Sequence, residues 1–293
     1  MSASQFAKVI AESSSTHSEW SLIDGNNVVA HAIISGINPY FQTRREISHI
    51  IRLELPRDFF KRRWDRVLFY GAGCSTPERK KIVELSLVAQ FKTPVTVESD
   101  LVGAAHGLLM HDAGLACILG TGSNSCFYDG EKITKSVSAG GFILGDEGSG
   151  SSMGRIFLSD VLKDLAPSEL IEEFYAVNKI TKADIMDAVY NNPHANNNLH
   201  NYSFFLADHL DNEYARNLVT NEIKRFFDRN LCQYQYKDYP VCFVGPIATR
   251  YSEILLQIAY SYNMNVKKIV SDSMPGLVAY HSINLNADQQ IAL

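Results

Sequence analysis

Short apolar runs broken by polar turns alternate with longer helix-like stretches along this chain, and one order of runs occurs twice. Leu115-Ala116-Cys117-Ile118-Leu119 leads into Gly120-Thr121-Gly122-Ser123-Asn124-Ser125, then into a second apolar run with Phe127 and Tyr128. The pattern predicts strand, tight turn, strand. Displacing the chain by about 105 residues sets Ser15-Thr16 on Gly120-Thr121, Leu22-Ile23-Asp24-Gly25 on Phe127-Tyr128-Asp129-Gly130, and Val28 on Ile133. Asp-Gly between apolar runs predicts a hairpin in each copy. Further along, Val67-Leu68-Phe69-Tyr70-Gly71 resembles Val241-Cys242-Phe243-Val244-Gly245, and Val95 to Asp100 resembles Val266 to Asp272. Each of these runs precedes a helix-like stretch, which predicts parallel strands with crossover helices. The expected fold is α/β, with two similar domains, each holding a mixed five-stranded sheet flanked by helices.

The boundary is expected at 113/114, giving an N-terminal domain over 1–113 and a C-terminal domain over 114–293. The second domain carries extra, mainly helical material over about 146–233. Helices are expected over Met153 to Leu165, Ser168 to Val177, Lys182 to Tyr190 and Glu213 to Cys232, with Thr181 and either Asp211 or Asn212 as caps. Asn191 to His200, rich in asparagine, reads as an exposed loop. Its two histidines lack ligand spacing with a carboxylate and predict no metal site.

Composition narrows the partners. A net charge of −5 gives no electrostatic reason to expect nucleic acid or an anionic membrane. No apolar stretch approaches the roughly 20 residues that span a bilayer. The first ten residues lack the basic region and apolar core of a signal peptide. The five cysteines are scattered without CxxC spacing and read as reduced, mostly buried thiols of a cytoplasmic protein.

The candidate chemistry lies at the turns. Glycines on both sides of Thr121 leave backbone amides to point into a concavity that suits anions. Asp100 opens a helix directly after the strand Val95 to Glu98. It reads as an N-cap or as a cleft carboxylate at a strand's carboxyl end. Gly145-Asp146-Glu147-Gly148-Ser149 reads as a loop that starts a helix, where acidic residues suit the helix dipole. Asn38 follows the first three strands and offers a short polar group for a ligand.

The runs ILGTGSNSCFYDG (118–130), GGFILGDEGSGSSMGR (140–155) and FVGPIATRY (243–251) carry a resemblance. They look like the sugar-kinase branch of the actin, hexokinase and heat-shock-chaperone ATPases, and most resemble the N-acetylglucosamine kinase-like group of the BadF/BadG ATPases. The resemblance spans Val9 to about His281. It implies two ribonuclease-H-like domains with nucleotide and sugar bound in the cleft between them. It also implies ATP and Mg2+ as cofactors and transfer of the γ-phosphate to an amino sugar, with a homodimer left open. Asp100 matches the family's general base. Gly120, Thr121, Gly122 and Ser123 match the second phosphate loop, and Gly245 with Ala248 the adenosine motif. Asn124, Gly140, Gly141 and Asp146 match sugar-facing positions, and Asn38 is a further substrate candidate.

The first phosphate loop departs from the pattern. Where the family has Asp, then Gly two residues on, then Ser/Thr and often Lys, this chain has Glu12-Ser13-Ser14-Ser15-Thr16-His17. Glu12 would contact Mg2+ through water, displaced by roughly one methylene, on the order of 1.5 Å. Ser14 places a side chain where glycine permits positive φ. Ser15 and Thr16 keep the hydroxyls, and His17 is only partly charged near neutral pH. Misalignment of this size costs about 100-fold in rate. Two alternatives follow: a sugar- or nucleotide-binding protein of weak turnover, and an ATPase activator of a 2-hydroxyacyl-CoA dehydratase, which needs cysteine ligands for an iron–sulfur cluster. A nuclease reading lacks the paired carboxylates of a two-metal site.

Overall fold

The computed structural model describes residues 7–25, 27–61, 63–192 and 195–291. Strands β1 (Ala7–Ser13), β2 (His17–Asp24), β3 (Asn27–Ser35), β4 (Arg66–Gly71) and β5 (Val95–Ser99) form one sheet in the order β3-β2-β1-β4-β5. β1, β2 and β3 pair antiparallel, whereas β4 and β5 join parallel to β1. Helices α1 (Arg44–Glu54), α2 (Pro77–Phe91) and α3 (Asp100–Leu109) accompany this sheet. Each begins with a hydroxyl cap: Thr43, Thr76 and Ser99 accept from amides of the first turn.

The second sheet repeats the first. Strands β6 (Gly114–Leu119), β7 (Ser123–Tyr128), β8 (Ile133–Val137), β9 (Val241–Val244) and β10 (Val266–Val270) lie in the order β10-β9-β6-β7-β8. The duplication extends to a local irregularity. The β2–β3 register shifts between Leu22 and Ile23, and the β7–β8 register shifts between Phe127 and Tyr128. These positions coincide under the displacement read from sequence, so both hairpins bend at the same place.

Between β8 and β9 run α4 (Gly141–Leu144), α5 (Gly150–Leu162), α6 (Ser168–Asn178), α7 (Lys182–Tyr190), α8 (Ala195–Ala207) and α9 (Glu213–Arg229). Thr181 and Asn212 cap α7 and α9 as expected. The asparagine-rich segment departs from expectation. Pro193 and His194 lie outside the described residues, but Ala195 to His200 is helix, with Ala195, Leu199 and His200 buried. Asparagine is a poor helix former, so packing decides. A Cβ on Gly154 would stand 1.8 Å from the Leu199 carbonyl oxygen, and one on Gly150 would stand 2.0 Å from His200 Nδ1. Two glycines one turn apart on α5 thus allow α8 to approach at backbone distance, and the apolar face of α8 is buried.

After β9 come α10 (Pro246–Arg250) and α11 (Ser252–Ser261), and after β10 comes α12 (Met274–Ile291). The chain divides into Met1–His111 with Ser273–Leu293, and Asp112–Asp272. This corrects the expected division at 113/114, which left the last helix in the second domain. Met274 and Leu277 of α12 pack with Ile10, Ile23, Leu68 and Tyr70 of the first unit. A Cβ on Gly276 would lie 1.9 Å from the Gly107 carbonyl oxygen, so α12 and α3 cross at a glycine contact that side chains would prevent.

Candidate active site

In the first unit the turn between β1 and β2 closes on itself. Ser14 Oγ donates to the His17 carbonyl (3.0 Å) and accepts from the amides of Thr16 and His17 (3.2 Å each). The Thr16 hydroxyl lies 2.8 Å from Ser14 Oγ and 3.0 Å from His17 Nδ1. Those two amides are the donors a phosphate oxygen would meet in such a turn. Ser14 is absent from the positive-φ residues, so the expected backbone strain does not arise. The turn is distinguished instead by the Ser14 hydroxyl, which already accepts from both amides.

Two further candidates border this turn. Glu12 is half-buried, in register with Glu19 on β2 and Tyr70 on β4. Asn38 is buried; its Nδ2 donates to Ser15 Oγ (2.8 Å) and its Oδ1 accepts from the Tyr40 amide (2.9 Å). A Cβ on Gly73, whose φ is +78°, would sit 2.2 Å from that Oδ1, so the glycine leaves room for the amide. A sugar hydroxyl would have to replace the Ser15 bond.

Asp100 is the first helical residue of α3, but the cap of that helix is Ser99. Its Oδ1 accepts from the Leu101 amide at 2.8 Å. Desolvation pushes its pKa above the ordinary carboxylate value, against the lowering effect of the backbone amides of Leu101 and Asp100. Burial drives the neighbouring Cys74 thiol up to about 12, and the Asp100 charge adds to that rise. A carboxylate whose pKa is raised by desolvation is a stronger base than one in water.

In the second unit the two glycine-rich motifs meet. The amide of Gly150, at the start of α5, donates to the Gly120 carbonyl (2.9 Å), and the Ser151 amide donates to Thr121 (3.1 Å). Ser151 Oγ also donates to the Thr121 carbonyl at 2.6 Å. Asp146 Oδ1 accepts from the Ser123 amide at 3.2 Å, and a Cβ on Gly122 would stand 2.9 Å from Asp146 Oδ2. Glycine at 122 therefore serves the approach of a carboxylate. Among the described residues the amides of Thr121 and Gly122 have no acceptor. The two turns of the duplication differ at this point: among the described residues the amides of one have no acceptor, and those of the other bond to Ser14 Oγ.

The remaining positions fall around this turn. Asp146 is buried, has φ +54° and precedes α5, whose cap is Ser149. The acidic pair is thus outside the helix's first turn, contrary to expectation. Gly140 and Gly141 both have positive φ, and the Asp146 amide donates to the Ala139 carbonyl at 2.8 Å. Asn124 is half-buried, and its Oδ1 accepts from the Ser125 amide at 2.9 Å. A Cβ on Gly245, at φ +123°, would lie 2.3 Å from the Leu119 carbonyl oxygen, and one on Gly120 would lie 3.6 Å from Pro246 Cδ. The end of β9 is thereby held against the turn. Ala248 is fully buried, so it supports this corner from within the core. Gly245→Ala is expected to cost about 3 kcal/mol, from φ strain and the displaced Leu119 carbonyl. Urea unfolding checks this, and a change under 1 kcal/mol would show that the corner yields.

Several features were missed in sequence. Glu147 is buried and pairs with Arg229, while Glu222 is buried and bonds to Ser152 and Arg225. Glu222 and Arg225 are three residues apart on α9, but the Glu147–Arg229 pair and the Glu222–Ser152 bond span long separations and leave no local periodic signal. Cys117 and Cys126 lie wholly buried in β6 and β7, so neither presents a thiolate at a surface. Among the described residues no helix is long and apolar enough to cross a membrane.

A Porphyromonas gingivalis protein whose structure is named "putative N-acetylglucosamine kinase" is 36% identical, with a TM-score of 0.90 over 94% of this chain and 99% of that one. The chain belongs to the BadF/BadG-type sugar kinases. No protein-family model and no curated protein matches it. Two more distant structures share the fold. A Chromobacterium violaceum protein, also named "putative N-acetylglucosamine kinase", has a TM-score of 0.70 at 15% identity, over 95% of this chain and 99% of that one. A ROK hexokinase of Thermus thermophilus has a TM-score of 0.57 at 14% identity, over 94% and 98%. Within this sugar-kinase family, kinase-type phosphotransfer with ATP is the chemistry the fold serves.

Proposed function

We propose that this sugar kinase phosphorylates an amino sugar, N-acetylglucosamine or a related hexosamine, with ATP as donor. The observation that carries this reading is the turn 120–123. The amides of Thr121 and Gly122 have no acceptor among the described residues, the start of α5 holds the Gly120 and Thr121 carbonyls, and the Asp146 carboxylate bonds the Ser123 amide. In this reading Thr121, Gly122 and Ser123 hold the β- and γ-phosphates, and Gly245 lets the adenosine approach the backbone. Asp146, Asn38, Asn124 and the Gly140-Gly141 loop receive sugar hydroxyls. Asp100 takes the proton from the attacking hydroxyl as the new O–P bond forms. The bond from γ-phosphorus to the β-phosphate oxygen breaks, and ADP leaves with the electron pair.

Glu12 would hold Mg2+ through water. One carboxylate with phosphate oxygens is a donor set that suits a hard cation, and among the described residues no cluster of three or more His, Cys, Asp or Glu forms a protein cage. Bound with the nucleotide, Mg2+ supplies charge neutralisation. ADP release measured with a panel of hexoses and N-acetylhexosamines tests the reading; no sugar-dependent ADP would sink it.

The closed Ser14 turn supports a second reading, a protein that binds its ligands and turns over slowly. Removing the hydroxyl frees the Thr16 and His17 amides for the nucleotide. Ser14→Gly is therefore expected to tighten binding of an ATP analogue about tenfold, the worth of one charge-assisted hydrogen bond after the entropy of glycine is subtracted. Calorimetry measures it, and unchanged affinity would show that the turn takes no part.

A further inference from the structure

The loop that presents Asp146 has an awkward backbone. Asp146 has φ +54° and Gly148 has φ +73°, with Glu147 between them. A non-glycine residue in the left-handed region persists only when its surroundings hold it there. Asp146 itself bonds to the Ser123 amide, the Ala139 carbonyl and the Ser149 amide, and the two residues that follow it are held by α9, inside the helical insertion. Arg229 Nε lies 2.5 Å from the Glu147 carboxylate, and Arg225 Nη2 lies 4.0 Å from it. Arg225 Nη1 also reaches Glu222 at 2.6 Å, and the other Glu222 oxygen accepts from Ser152 Oγ at 2.6 Å. Ser152 is in the first turn of α5, where its amide donates to the capping Ser149 hydroxyl. A Cβ on Gly148 would fall 2.9 Å from Phe226 Cβ, so α9 abuts the loop directly.

Glu147 and Glu222 are both buried, at 5% and 2% exposure. A buried carboxylate is tolerated only while paired. Residues 225 and 229 are one helical turn apart and so share a face of α9. That face grips the chain on both sides of the Ser149 cap. The grip borders a cavity of about 350 Å3, lined among others by Gly140, Gly145, Glu147, Arg229 and Asn230.

We propose that Arg229, with Arg225, is a positioning residue for sugar recognition: by neutralising buried Glu147 it holds Asp146 in the conformation that meets the turn 120–123. The proposal rests on the reading of Asp146 as a sugar acceptor. The helical insertion is thus a brace for the substrate loop. The Gly120 and Thr121 carbonyls are also held by Gly150 and Ser151, so loss of Arg229 is expected to disturb Thr121 and Gly122 less than Asp146.

Two measurements on the full chain test it. Hydrogen exchange of Arg229→Gln is expected to speed up about tenfold or more at the Ser123 and Asp146 amides, with β6 and β9 unchanged. In steady-state kinetics the same variant should raise the sugar KM about tenfold and the ATP KM much less. The double variant Glu147→Gln/Arg229→Gln, which removes the buried unpaired charge, should recover most of both effects. Unchanged exchange at those amides overturns the brace whatever the activity. Faster exchange with equal rises in both KM values, or with a fall in kcat alone, overturns its role in sugar recognition. Faster exchange in a protein whose wild type phosphorylates no sugar leaves the brace standing and removes the kinase reading instead.

Discussion

Asp100→Asn is expected to lower sugar-dependent ADP formation by on the order of 1000-fold, while the affinity for an ATP analogue stays within about twofold. The asparagine has nearly the same shape and can still accept from the Leu101 amide, as Asp100 does at 2.8 Å. It cannot take a proton. Helix α3 keeps its cap, because Ser99 rather than Asp100 accepts from the Val102 amide. Stability is therefore expected to hold or rise slightly, since the variant removes a carboxylate whose charge is penalised by desolvation. The raised pKa has a kinetic consequence. The rate should rise with pH through a value above the ordinary carboxylate range, as the base deprotonates. Turnover that survives in Asp100→Asn would assign the proton to another group.

The second large effect is acid sensitivity of the first unit. Tyr70 on β4 lies between two histidines: its hydroxyl is 2.8 Å from His281 Nε2 on α12 and 3.2 Å from His106 Nδ1 on α3. Tyr280 stacks on His106 at 4.2 Å between ring centroids. Burial pushes His106 down to about 4, aided by His111 and opposed by Glu98. Burial likewise pushes His281 down to about 3, aided by the positive Lys8 and Arg66 and by His106. Both folded values lie below the ordinary 6.5. The unfolded chain therefore binds protons first as pH falls. Their contribution is complete above about pH 7 and is lost as pH drops through 6.5 toward 4. At pH 5 the loss is about 2 kcal/mol per histidine, or about 4 kcal/mol for the pair. That is a large share of a typical domain's stability. Urea unfolding at pH 7.5 and pH 5 measures it. His106→Gln with His281→Gln should flatten the profile, and an equally steep fall in that variant would place the acid sensitivity elsewhere.

The parts legible in sequence were those encoded by neighbours in the chain. Alternating apolar runs, the Asp-Gly hairpins at 24–25 and 129–130, and the caps Thr181 and Asn212 act over a few residues. Both sheets and most of the helical insertion followed from them. The repeat itself was readable because equal strand and turn lengths impose equal spacing. It held down to the shared register shift after Leu22 and Phe127.

What stayed hidden depended on partners far away in the chain. The asparagine-rich segment after Ala195 has poor helix propensity, and only the glycine-lined face of α5 makes it helical. The last helix follows a strand of the second sheet yet belongs to the first unit, because Gly276 meets Gly107 there. At the candidate site, sequence showed that the first turn was altered and where. Tertiary structure showed how: the Ser14 hydroxyl occupies two amides, while its counterpart at 120–123 stays open. The sequence by itself determined the duplicated α/β architecture and the positions where chemistry could sit, since local periodicity and turn residues suffice for that. Only the tertiary structure decided which of those groups are free, which are paired and which are braced, because burial and hydrogen bonding are settled between residues that the chain keeps far apart.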